Sequence, residues 1–117
     1  MARVVALFDD LLLGSNVLGM LRAAGHDVTL SSDPEQVHPD GADVLVVDLG
    51  SQGFDGVATV TGLEERGELG DTRVLGVYSH VDVDTKQRAD DAGLDLVVPR
   101  SRMAREGPKL VERLLAG

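Results

Sequence analysis

Four short apolar runs punctuate the chain, and a polar residue stands just beyond each. Arg3–Phe8 is followed by Asp9 and Asp10, Ala42–Val47 by Asp48, Val74–Tyr78 by Ser79, and Leu94–Val98 by Arg100 after one proline. Valine dominates these runs, and β-branched side chains suit strands buried on both faces. A further strand is predicted at Asp27–Leu30. Helical spacing fills the intervals. Leu12–Ala24 carries Val17, Leu18 and Leu21 on one face and ends at Gly25. Asp33-Pro-Glu-Gln36 reads as an N-cap, a proline at the first helical position and a capping-box residue, opening a second helix with little room before Pro39 and Gly41. Phe54–Arg66 is a third helix, with Val57, Val60, Thr61 and Glu64 in phase. Asp84 or Thr85 caps a fourth that runs to Ala92, before Gly93. Pro108–Leu115 is the last, with Leu110, Val111, Leu114 and Leu115 inward.

Strands alternating with helices, joined by right-handed crossovers, give a parallel sheet covered on both faces. Ligands of such sheets bind at the carboxyl ends of the strands. Three carboxylates, a hydroxyl and a cation are delivered there, which points to a divalent-metal and phosphoryl site. Mg²⁺ takes hard oxygen ligands and keeps several waters, so one or two carboxylates and a carbonyl suffice. Clustered carboxylates raise one another's pKa, and a cation removes that cost. The competing interpretation is that Asp9, Asp10 and Asp48 are solvated strand ends.

Composition narrows the classes. The 117 residues fit one domain, 1–117. The chain has no cysteine, which excludes disulfides and thiolate metal sites. Eleven basic against 20 acidic residues give a net charge of −9. That is opposite to a nucleic-acid footprint and suits cations or basic protein surfaces. Signal-peptide and membrane-span patterns are lacking, so a cytoplasmic location without membrane contact is expected. Gly14–Gly19 does not fit a dinucleotide-binding glycine motif.

Phe8-Asp9-Asp10, the stretch Asp48–Gly56, Tyr78-Ser79-His80 and Ala92–Ser101 together resemble a CheY-like receiver domain of bacterial response regulators over the whole chain. The resemblance implies a flavodoxin-like doubly wound five-stranded parallel sheet, order 2-1-3-4-5. It also implies a module of two-component signalling, and because the 117 residues leave no room for an output domain, a stand-alone module is expected. Asp48 would accept the phosphoryl group. Asp9, Asp10 and Asp48, with the Gly50 carbonyl, would hold Mg²⁺, and Ser79 and the cation after the fifth strand would contact phosphoryl oxygens. The implied partners are proteins, a histidine kinase or a downstream effector, or a second copy in a homodimer. The chain would not itself be an enzyme.

The departures are specific. The family's lysine is Arg100, the proline after it is Ser101, Ser51-Gln52 replaces Met-Pro, His80 replaces a small residue, and the aromatic switch residue is Val97. They leave a rival, a pseudo-receiver that binds proteins without phosphorylation. A small phosphohydrolase of similar fold is a more distant rival, because no long insertion builds a substrate pocket. Arg100, bulky and stiffened by Pro99, is expected partly outside the pocket, paired with a surface carboxylate or solvent. His80 is weighed as a general base or metal ligand against a loop histidine. Leu11-Leu12-Leu13 is either the start of a helix or an apolar lip beside the acids.

Overall fold

The parallel sheet forms because every apolar run is short, valine-rich and separated from the next by a crossover. The computed structural model describes residues 2–79 and 81–117. In chain order it runs β1 (Arg3–Leu7), α1 (Leu11–Ala23), β2 (Asp27–Ser31), a single 3-10 turn (Pro34–Gln36), β3 (Val44–Asp48), α2 (Gly56–Glu65), β4 (Arg73–Tyr78), α3 (Val83–Asp91), β5 (Leu96–Pro99) and α4 (Arg100–Ala116). All strand pairs are parallel, in the order β2-β1-β3-β4-β5.

Side-chain alternation divides the core in two. Val4, Ala6, Phe8, Val44, Val46, Leu75, Val77 and Val98 face α1 and α4, where Val17, Leu21, Met103, Leu110 and Val111 meet them. Leu7, Leu45 and Val47 face α2 and α3, against Val57, Val60, Leu63 and Ala89. Both faces are covered, which is why the central strands carry no exposed polar alternation.

Four expectations need correction. The second crossover holds only the 3-10 turn. Asp33 does cap it, accepting from the Glu35 N–H at 2.9 Å, but Val37 and Pro39 are buried and end it at once. The cap of α3 is Asp82, whose side chain accepts from the Thr85 N–H at 3.0 Å. The fifth strand begins at Leu96, because Asp95 turns its carboxylate to the first free amide of β4, Val74 N–H, at 2.7 Å. Most notably, α4 begins at Arg100, and Pro108 lies inside it. Its first two turns have Met103 as their one large buried side chain, so no apolar period marks them. Proline removes the hydrogen bond to the carbonyl four residues back, here that of Ala104, and Ala104 is exposed, so water can serve it.

Gly19 lies exposed within α1, where an added Cβ meets nothing within 4 Å. Gly19→Ala should therefore stabilise the fold by about 0.5–1 kcal/mol, seen as a higher urea midpoint at unchanged slope. No helix among the described residues is long and apolar enough to cross a membrane.

Candidate functional site at the carboxyl edge

Strand register assembles the site. Asp48 pairs with Val77, and Val77 with Val98. Extending the β1–β3 register by one residue sets Phe8 beside Asp48. Two residues beyond this row stand Asp10, Gly50, Ser79 and Arg100, one from each strand end. The edge read from the sequence is therefore a single layer of the molecule.

Asp48 is fully buried. Its Oδ1 accepts the Gly50 N–H at 2.9 Å. Arg100 Nη2 lies 3.3 Å from both carboxylate oxygens. The expected pairing of Arg100 with a surface carboxylate or solvent is thus overturned, although its side chain stays 37% exposed. The reason is the start of α4. Arg100 occupies the first helical position directly after Pro99, whose extended backbone (ψ 156°) aims the next side chain across the strand ends. A cation is disfavoured at a helix N-terminus, by about 0.3–1 kcal/mol. The buried carboxylate is what holds it there. The contact uses one nitrogen bridging two oxygens, not a parallel fork, and it is longer than a tight charge-assisted bond. Arg100 Nε is buried without a partner among the described residues.

Burial pushes the Asp48 carboxyl above the usual carboxylate range. The Gly50 N–H and the Arg100 guanidinium pull it back in part, and the charge of Asp9 adds to the rise.

An open cavity of about 290 Å³ adjoins the pair, lined by Asp9, Asp10, Gly50, Ser51, Gln52 and Arg100. Asp9 Oδ2 accepts the Gly53 N–H at 3.1 Å. Asp10 caps α1, its Oδ1 accepting the Leu13 N–H at 3.1 Å. Among the described residues these bonds leave Asp9 Oδ1 and Asp10 Oδ2 for another partner. Among the described residues no group of three or more histidine and carboxylate side chains is arranged to hold a metal ion. The donor set nonetheless fits a cation that takes two carboxylates and a carbonyl and keeps its waters. Ser79 follows β4 and is half-buried, with its carbonyl accepting the Asp82 N–H at 2.8 Å, and it does not line this cavity. His80 lies outside the described residues. Larger cavities of about 510 and 380 Å³ surround Leu69–Arg73 at the amino edge, far from the buried acid and its cation.

Leu11 and Leu12 bear out the interpretation of this leucine triplet as a helix start, while Leu13 packs against the core. The first two open α1, and they are 74% and 76% exposed beside the acids. Two positions beside the site were not singled out in the sequence: Gly53, whose N–H donates to Asp9, and Gly56, where an added Cβ would crowd the Asp48 carbonyl oxygen.

Solved structures match this arrangement of elements along the whole chain. The receiver domain of Francisella response regulator 1452 superposes with a TM-score of 0.84 at 18% identity, covering 99% of this chain and 98% of that one. The chain has the CheY-like receiver fold. The chemotaxis protein CheY4 of Vibrio cholerae gives a TM-score of 0.85 at 20% identity, covering 98% and 99%. The signal receiver domain of NarL from Mycobacterium tuberculosis gives 0.81 at 23% identity, covering 99% and 97%. No protein-family model and no curated protein matches the sequence. Within the receiver fold the one short crossover, between β2 and β3, lies on the side of the sheet remote from Arg100, so it leaves the site's layer intact.

Proposed function

We propose that this chain is a receiver-type signalling module in which Asp48 accepts a phosphoryl group and Arg100 serves as the resident cation. The observation that carries the reading is the buried Asp48 carboxylate under the Arg100 guanidinium, beside Asp9 and Asp10. An Asp48 oxygen attacks phosphorus, the bond from phosphorus to the donor's leaving group breaks, and an acyl phosphate remains on Asp48. Arg100 exchanges its carboxylate partner for phosphoryl oxygens, and the Ser79 hydroxyl donates to another. Its long, single-nitrogen contact makes that exchange inexpensive. Mg²⁺ held by Asp9, Asp10 and Asp48 with the Gly50 carbonyl would offset repulsion between the carboxylate and the donor. The partners are proteins of the cytoplasm, a histidine kinase that supplies the phosphoryl group or an effector that receives the output. No steady turnover of a phosphoester is expected, so the module is not proposed as an enzyme.

One observation favours a second reading, a pseudo-receiver that binds proteins without phosphorylation: Asp48 has no exposed surface and its cation already covers it. The two readings separate under a beryllofluoride phosphoryl mimic with Mg²⁺. Phosphoryl acceptance predicts amide shifts at Gly50, Ser79 and Arg100. The change along β5 should stay small, because Val97 has a single short rotor and the two states then differ little in their contacts. No shift at all would favour the pseudo-receiver. Large shifts across α3 and β5 would contradict the muted coupling.

A further inference from the structure

Gly53 sits in the loop between β3 and α2, 44 residues from Asp9 in sequence, yet its N–H meets Asp9 Oδ2 at 3.1 Å. The same N–H is shared with Ser51 Oγ, also at 3.1 Å. A Cβ built on Gly53 would come within 2.6 Å of Asp9 Oδ2, whereas the next nearest atoms are the Asp9 carboxyl carbon at 3.6 Å and Ser51 Oγ at 3.8 Å. Gly53 is not among the glycines with positive φ, so its backbone conformation is open to other residues. It is also exposed, so its own packing contributes little. The one atom that demands glycine here is the oxygen of an acid in the site.

We infer that Gly53 is a positioning residue: its bare backbone fixes the orientation of the Asp9 carboxylate, turning Oδ1 toward the cavity shared with Asp10 and Arg100. The inference deepens the proposed function and rests on that site. Carboxylates that bind a cation are held by such outer contacts, whose loss costs about tenfold or more in metal affinity. A side chain at position 53 pushes a flexible carboxylate aside instead of breaking the fold. The loop thereby sets how the acid is presented, independently of the acid's own strand.

The test is Gly53→Ala in the full chain, read by the carboxyl carbon NMR signal of Asp9, by urea unfolding and by Mn²⁺ titration. The Asp9 signal should move, the urea midpoint should stay near that of the parent, and apparent Mn²⁺ affinity should fall about tenfold. An Asp9 signal superposable on the parent's overturns the inference. If the parent itself does not respond to Mn²⁺, the metal part of the proposed function fails, while the Asp9 signal still decides the role of Gly53. Should Gly53→Ala fold poorly, adding Asp9→Ala restores the midpoint if Oδ2 is the obstacle, and failure to restore it also overturns the inference.

Discussion

Arg100→Met is expected to cost about 2 kcal/mol of stability near neutral pH and much less in mild acid. Breaking a buried ion pair by removing one partner typically costs about 3–5 kcal/mol. Here the value is discounted, because the Arg100 side chain is 37% exposed and water screens it. The pH dependence follows from Asp48, whose folded-state pKa is raised by burial. An acid with a raised folded pKa contributes stability below its unfolded pKa, and that contribution is lost as pH climbs from the unfolded to the folded value. Removing the guanidinium lifts the folded pKa further and extends the loss upward in pH. In acid, a neutral Asp48 needs no cation. Urea unfolding at the two pH values checks this, with Asp48→Asn added to the same variant recovering most of the neutral-pH deficit. A deficit independent of pH would mean that the arginine acts through packing of its stem.

Gly56→Ala should destabilise by about 3 kcal/mol, the upper range for forced overpacking. A Cβ there would lie 2.6 Å from the Asp48 carbonyl oxygen, 3.0 Å from Leu49 Cδ2 and 3.2 Å from Leu49 Cα. Two of these are backbone atoms of the segment that carries Asp48, and they cannot rotate away as the Asp9 carboxylate can. Relief requires α2 to back off or Asp48 to shift, so phosphoryl acceptance should fall together with stability. The contrast with Gly19→Ala is in sign: one glycine is required by a close approach, the other only weakens its helix. Urea midpoints of the two variants should move in opposite directions, and a neutral Gly56→Ala would show that the approach is not tight.

Much of this was legible in the chain. Four of the five strands were readable because each is a short valine-rich run, and the carboxyl-edge residues because each follows such a run; β2, with Val28 as its one valine, carried a weaker signal. Helix ends were less legible where chemistry, not periodicity, sets them. Arg100–Gly107 offers one buried large apolar side chain, Met103, so the first half of α4 left no period, and Pro108 looked like a start. Arg100 was expected outside because a guanidinium is bulky and Pro99 stiffens the backbone before it, whereas as the first residue of a helix abutting β5 it is directed over Asp48. Asp95 shows the same limit. Its alternation with Leu94 and Leu96 suits a strand, but its carboxylate serves the Val74 N–H and the Arg73 guanidinium. Gly53 and Gly56 had no sequence signal, since a missing side chain announces nothing until its neighbour is known.

The measurement that tests the central claim most directly is intact mass after incubation with Mg²⁺ and a small acyl phosphate donor, on the parent chain and on Asp48→Asn. The parent should gain the mass of one phosphoryl group, labile to hydroxylamine as an acyl phosphate is, and Asp48→Asn should gain none. An unmodified parent, or equal labelling of both proteins, would contradict phosphoryl acceptance at Asp48.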